Sequence, residues 1–172
     1  MTYLLDTNII IYLVRNKSIL EDSLAKVGVI DLFSSQNQLV ISIVTVGELQ
    51  SLALNNSWGH KKMQLLESLL TSFIIADINT EGVIKLYAEI DAFSQCKYNK
   101  QNATFTTPRN MGKNDLWIAA TAAFLGTTLV TTDNDFNHLK DEYLSVISVD
   151  ALKHLDNINT ITKLAESDTE DA

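Results

Sequence analysis

Apolar residues recur along this chain in short blocks, and the spacing within each block predicts the element it forms. Tyr3–Leu5 is apolar and ends in a polar turn, so it predicts a strand. Thr7–Val14 follows as a short helix. Ser18 to about Ser34 has an amphipathic, helical spacing. Leu39–Ile43 is a β-branched run that predicts a buried strand, followed by a helix over Thr45–Asn55. Trp58-Gly59 breaks the pattern before a further helix, His60–Ser72. Phe73–Ile78 predicts a third strand. Thr80–Cys96 predicts a helix with Val83, Leu86, Tyr87, Ile90 and Phe93 on one face. Lys97–Gly112 is polar, carries the lone proline, Pro108, and predicts a long loop. Asn114–Leu125 predicts a helix stopped by Gly126. Thr128–Thr131 and Leu144–Val149 predict two last strands, and Asp150 to about Leu164 is weakly helical. Strands that alternate with helices predict an α/β fold, a mainly parallel sheet with helices on both faces. Ligands of such sheets bind beyond the carboxyl ends of the strands.

Composition narrows the class. The chain has 172 residues, 46% of them hydrophobic, which suits one domain with a substantial core. Cys96 is the only cysteine, so no internal disulfide forms, which fits a reducing compartment; it reads as a filler in a helix. The N-terminus lacks the basic stretch of a signal peptide, and no apolar run reaches the roughly 20 residues of a membrane span. The expectation is a soluble cytoplasmic protein with no membrane partner.

The net charge of −8 counts against a polyanionic ligand, but the charge is unevenly spread. The segment 156–172 is a polar, acidic tail, read as flexible, and its end from Glu166 onward holds four acids and no base. Between Lys97 and Lys113, by contrast, stand Lys97, Lys100, Arg109 and Lys113 with no acid among them. That loop suits RNA phosphates, or is simply a solvated loop.

The acids share an address. Asp6 ends the first predicted strand, Glu48 and Asp115 stand in the first turns of helices, and Asp133 and Asp135 follow the fourth strand. Each has an ordinary explanation. Asp6 suits a helix N-cap, Thr45 and Glu48 match a capping box, Asp115 complements a helix dipole, and Asp133-Asn134-Asp135 suits a turn. On one sheet edge, however, such a cluster would need cations to offset its mutual repulsion. Hard divalent ions take oxygen ligands, and a metal-bound water can attack a phosphodiester. His60, His138 and His154 show no paired ligand spacing, which argues against zinc. Trp58 and Trp117 read as packing residues, and no glycine loop suits a nucleotide.

Four blocks carry a resemblance. Leu4-Leu5-Asp6-Thr7-Asn8, Ser42–Leu49 around Glu48, Gly112–Ala120 around Asp115, and Leu129–Phe136 around Asp133 stand in the order of the PIN-domain nucleases. Their contexts resemble the VapC-type toxins of bacterial toxin–antitoxin pairs, over about Thr2–Val149. The resemblance implies a three-layer α/β/α sandwich over residues 1–155 and metal-dependent endoribonuclease activity. It implies Mg²⁺ or Mn²⁺ held mainly by Asp6 and Asp115, with Glu48 and Asp133 completing the pocket. Thr7, Asn8 and Thr132 would orient ligands or water, and Asp135 would support Asp133 or take its place. It also implies an RNA substrate, a homodimer, and a small cognate antitoxin through which any DNA contact would run. The amphipathic helices over 18–34 and 45–72 offer surface for such partners, or for ordinary core packing. Two other functions fit less of the pattern: a catalytically weak PIN-fold protein acting within an antitoxin–DNA repressor complex, and another phosphodiesterase. A haloacid-dehalogenase-type hydrolase would want a second acid where Asn8 stands.

Overall fold

A computed structural model describes residues 1–29, 31–98 and 105–149. The elements run β1 (Thr2–Leu5), α1 (Thr7–Arg15), α2 (Lys17–Lys26), β2 (Gln38–Ser42), α3 (Ile43–Asn55), α4 (His60–Ser72), β3 (Ile74–Ala76), α5 (Glu81–Ser94), α6 (Lys113–Leu125), β4 (Thr128–Thr131), a 3-10 helix over Asn134–Leu139, and β5 (Ser145–Ser148). The five strands lie in the order β3-β2-β1-β4-β5, and every pairing is parallel. The chain therefore builds outward from β1 in one direction, then returns to place β4 on β1's other side. The reversal between β1 and β4 opens a crevice at their carboxyl ends, where a parallel sheet binds its ligands.

Side-chain alternation along each strand divides the core into two layers. Leu5, Ile41 and Val130 face the first cluster, which takes Ile9 and Ile10 of α1, Leu20 and Leu24 of α2, Leu49 of α3 and Leu66 of α4. Leu4, Val40, Leu129 and Val146 face the second, with Val83, Ile90 and Phe93 of α5 and Leu116, Ile118 and Ala119 of α6. Each of the larger buried side chains, Ala119 aside, contributes roughly 1.5–3 kcal/mol over an exposed one. The result is the expected α/β/α sandwich.

Several element ends differ from the sequence reading, each for a local reason. The helix expected over 18–34 stops at Lys26, because Gly28 adopts a left-handed φ of +79°. The Asn37 side-chain amide then donates to the carbonyls of Asp31 and Leu32, at 2.9 and 3.2 Å, and closes a turn. Ser42 caps α3, accepting from the Val44 N–H at 3.3 Å, so Ile43 starts the helix instead of ending the strand. Thr45 is thus inside the helix and buried, and the expected Thr45/Glu48 capping box does not form. The Asp77 carboxylate accepts from Ile78 and Asn79 and ends β3 early. Cys96 lies beyond α5 at a φ of +56°, not within the helix. The weak helix from Asp150 and the acidic tail over 156–172 lie outside the described residues. Among the described residues, no helix is long and apolar enough to cross a membrane.

Candidate active site

Asp6 is the fixed point of the site. The β-ladder continues one residue past β1, with the Asp6 N–H donating to the Val130 carbonyl at 3.0 Å. The next residue starts α1, so the Asp6 side chain becomes the N-cap and accepts from the Thr7 N–H at 2.7 Å. Its other oxygen accepts from the Thr131 hydroxyl at 2.7 Å. Thr131 Oγ1 also accepts from the Asp133 N–H at 2.9 Å, so one buried threonine ties both acids across the crevice. The capping role and the position in the crevice belong to the same carboxylate, which is only 3% exposed.

Glu48 comes from the second turn of α3, since that helix begins at Ile43. Its Oε2 accepts from the Thr7 hydroxyl, and its Oε1 from the Asn114 side-chain amide at 2.7 Å. The Thr45 hydroxyl lies 3.3 Å from that of Thr7. Glu48 thereby joins α1, α3 and α6. Asp115 is the third residue of α6 and is held by the Gly112 N–H. The fit is tight: a Cβ at Gly112 would stand 2.6 Å from Asp115 Oδ2. Asp133 caps the 3-10 helix by accepting from the Asp135 N–H at 2.9 Å. Thr132 is its partly exposed neighbour.

Asp6, Thr7, Asn8, Glu48, Asn114 and Asp115 line one open cleft of about 590 Å³. Two of its acids, Asp6 and Asp115, are pushed toward neutrality. Burial raises the Asp6 carboxyl to about 6; the bonds from Thr131 and Thr7 oppose the shift, and the charges of Asp115 and Glu48 add to it. Asp115 is also raised to about 6, first by burial, then by the charges of Asp133, Glu48 and Asp135, against the Gly112 bond. Lys17–Glu21 and Lys113–Asp91 pair away from the cleft, and among the described residues no basic side chain forms an ion pair with Asp6, Glu48, Asp115 or Asp133. Nor, among them, do three or more acid, histidine or cysteine side chains converge into a ready-made metal site. The donors are all-oxygen, partly buried and mutually repelling, which fits a hard divalent cation.

The four basic candidates separate. Arg109 lines a second cleft, with Asp135 on its wall. Lys113 turns to α5, 3.6 Å from Asp91 and over the Tyr87 ring. Lys97 is exposed just beyond α5, and Lys100 lies outside the described residues. His138 is bound to the Ser94 hydroxyl at 2.8 Å, and Trp117 packs on Tyr87 with ring centres 4.1 Å apart. His154 lies outside the described residues. Thr131, Asn114 and Gly112 gain roles that the sequence reading did not assign. The β1–β4 register, with Leu5 opposite Val130, would have pointed to Thr131.

Comparison with known proteins agrees with this geometry. Residues 3–142 match the PIN domain family. Ribonuclease VapC1 of Haemophilus influenzae (strain R2866) is 31% identical over 144 residues, covering 82% of this chain and 94% of the relative. The crystal structure of VapBC2 from Rickettsia felis, bound to a DNA fragment from their promoter, has a TM-score of 0.65 at 24% identity, over 87% of this chain and 99% of that one. VapBC-1 from nontypeable Haemophilus influenzae has a TM-score of 0.61 at 26% identity, over 86% and 98%. With the PIN family model matched over residues 3–142, and a relative 31% identical over most of both chains, this chain belongs to the PIN-domain family.

Proposed function

We propose that this protein is a metal-dependent endoribonuclease and the nuclease member of a VapBC-type toxin–antitoxin pair. The observation that carries the reading is the gathering of Asp6, Glu48 and Asp115 around one cleft, with Asp133 tied to Asp6 through Thr131 and, among the described residues, no basic side chain paired with them. Asp6 and Asp115 would hold Mg²⁺ or Mn²⁺, with Glu48 and Asp133 completing the set. An ion held there would lower the pKa of a water and offset charge on the phosphate.

The chain's own residues set the stage for that chemistry. Thr131 and the Thr7 N–H hold both Asp6 oxygens, which fixes the carboxylate's orientation before any ligand arrives. Thr7 and Asn114 do the same for Glu48. Asn8 faces the cleft, where its amide can bond a phosphate oxygen or water. With Asp6 and Asp115 raised to about 6, the pocket sheds negative charge as pH falls through about 6, well above where an ordinary carboxylate would.

Partner binding is supported by the surface. Leu13, Phe33, Leu39, Leu65, Leu69 and Phe73 line a mainly apolar cleft of about 380 Å³, which suits the apolar side chains of an antitoxin segment. The edge strand β3 exposes Ile74 and Ile75, a face available to a second copy. The relatives named above include a ribonuclease VapC1 and VapBC assemblies.

The test is cleavage of total cellular RNA by antitoxin-free protein, wild type and Asp6→Asn, with Mg²⁺, Mn²⁺ or EDTA. Discrete fragments from wild type with metal alone are expected. Intact RNA in every lane, with metal binding confirmed, would leave the fold as a binding module.

A further inference from the structure

The loop before α6 and the 3-10 helix after β4 enclose a cleft of about 690 Å³. That lies within the roughly 300–1,000 Å³ of small-ligand sites and is large enough for one nucleotide. Phe105, Arg109, Asn110, Asn134, Asp135 and His138 are on its walls. It adjoins the carboxylate pocket, because Asp135 lines it and the charge of Asp135 acts on Asp115.

The cleft is built from anchored parts. The Arg109 N–H donates to the Ser94 carbonyl at 2.7 Å, and its own carbonyl accepts from the Gln95 amide at 3.2 Å. The exposed guanidinium thus leaves a tethered backbone, and it stands close enough to His138 to disfavour that ring's charge. His138 is bonded to Ser94, edge-on to Phe105 with ring centres 5.2 Å apart, and parallel to Phe93 at 6.4 Å. Burial, more than Arg109, lowers its pKa, so it presents a neutral ring. The Asn137 amide donates to Asn134 Oδ1 at 3.1 Å, which steadies the facing wall. A tethered cation, carboxamides and flat rings beside a phosphodiesterase pocket form the set that takes an unpaired nucleotide: charge for its phosphate, amides and ring faces for its base.

We infer that this cleft is a substrate subsite that seats one unpaired nucleotide of the RNA strand next to the scissile phosphate, with Arg109 on that nucleotide's phosphate. The inference rests on the ribonuclease reading.

The experiment measures binding of a short fluorescent single-stranded oligoribonucleotide to the full chain. An Asp6→Asn background with Mg²⁺ prevents cutting, and the titration is repeated over a salt series. Arg109→Ala is compared with Lys61→Ala, an equal loss of charge at an exposed position on α4, which packs on the opposite face of the sheet. Arg109→Ala weakens binding about tenfold and lowers the salt dependence by about one counterion, while Lys61→Ala changes neither. Arg109→Lys recovers the salt dependence. In the active protein, Arg109→Ala raises KM with kcat little changed. A parent that cuts RNA while the two alanine variants behave alike overturns the subsite alone. A parent that neither cuts nor binds RNA overturns the nuclease reading, and the subsite with it.

Discussion

Two clefts meet near the start of α6, and they are built in opposite ways. The carboxylate pocket stands on the ends of regular elements, and its side chains hold one another: Thr131 holds Asp6, while Thr7 and Asn114 hold Glu48. The Arg109 cleft stands on a loop and a short 3-10 helix, and it is the backbone of Arg109 that is anchored. The first is acidic and partly buried. The second is polar and carries one arginine. The difference separates two demands. Chemistry needs carboxylates fixed to within a fraction of an ångström, which strands and helices supply. Recognition tolerates, and varies through, loops.

The largest break in this contrast is Asp6→Asn. Cleavage should fall by about a hundredfold or more if Asp6 is the metal ligand proposed above, because the ion would then lose a charged partner at the centre of the pocket. The same change should stabilise metal-free protein near neutral pH. The Asp6 pKa is raised from 3.8 to about 6 in the fold, so its contribution is fully present below pH 3.8 and lost as pH rises through about 6. The loss is worth on the order of 3 kcal/mol. Thermal melts in EDTA from about pH 4.5 to 8 should show wild type losing stability with rising pH more steeply than Asp6→Asn. Parallel melting curves would mean that Asp6 is not under this strain.

Gly112→Ala tests how tightly the pocket is built. The added methyl would collide with Asp115 Oδ2, so the carboxylate must rotate away and give up its bond from the Gly112 N–H. Folding should survive with Tm nearly unchanged, while kcat falls about ten- to a hundredfold. An unchanged kcat would show that the placement of Asp115 is looser than the contact implies. Thr131→Val comes next. It leaves an Asp6 oxygen and the Asp133 N–H without their hydroxyl partner, at a cost of about 2 kcal/mol, which denaturant titration reads directly. Asn114→Ala should have the smallest effect, slowing turnover by a few-fold, because Glu48 keeps its bond from Thr7.

The parts of this molecule legible in advance were those with short-range causes. Asp6 is an N-cap at a strand end, α4 spans His60–Ser72 as its spacing implies, and Gly126 stops α6 with a left-handed φ of 61°. Alternation of strands and helices was enough to place the acids on one edge. Register was not legible, and register decides that Thr131 stands beside Asp6. Side-chain direction was not legible either. Lys113 and Arg109 belong to one basic stretch, yet one reaches Asp91 on α5 and the other lines a cleft beside the acids. Glu48 was misplaced by half a turn because Thr45, a good cap in isolation, competes with Ser42, which comes first and wins.

The order β3-β2-β1-β4-β5 has a consequence for how this protein is made. Asp6 leaves the ribosome well before its partner threonine, which lies 125 residues later. A nascent chain that ends before Thr128 can lay down β1, β2 and β3, yet it has no second wall for the crevice and no Asp133. Contacts this distant in sequence form late in folding. Synthesis therefore separates the making of the fold's first half from the arming of its site: the set of carboxylates is completed only when β4 slides in beside β1.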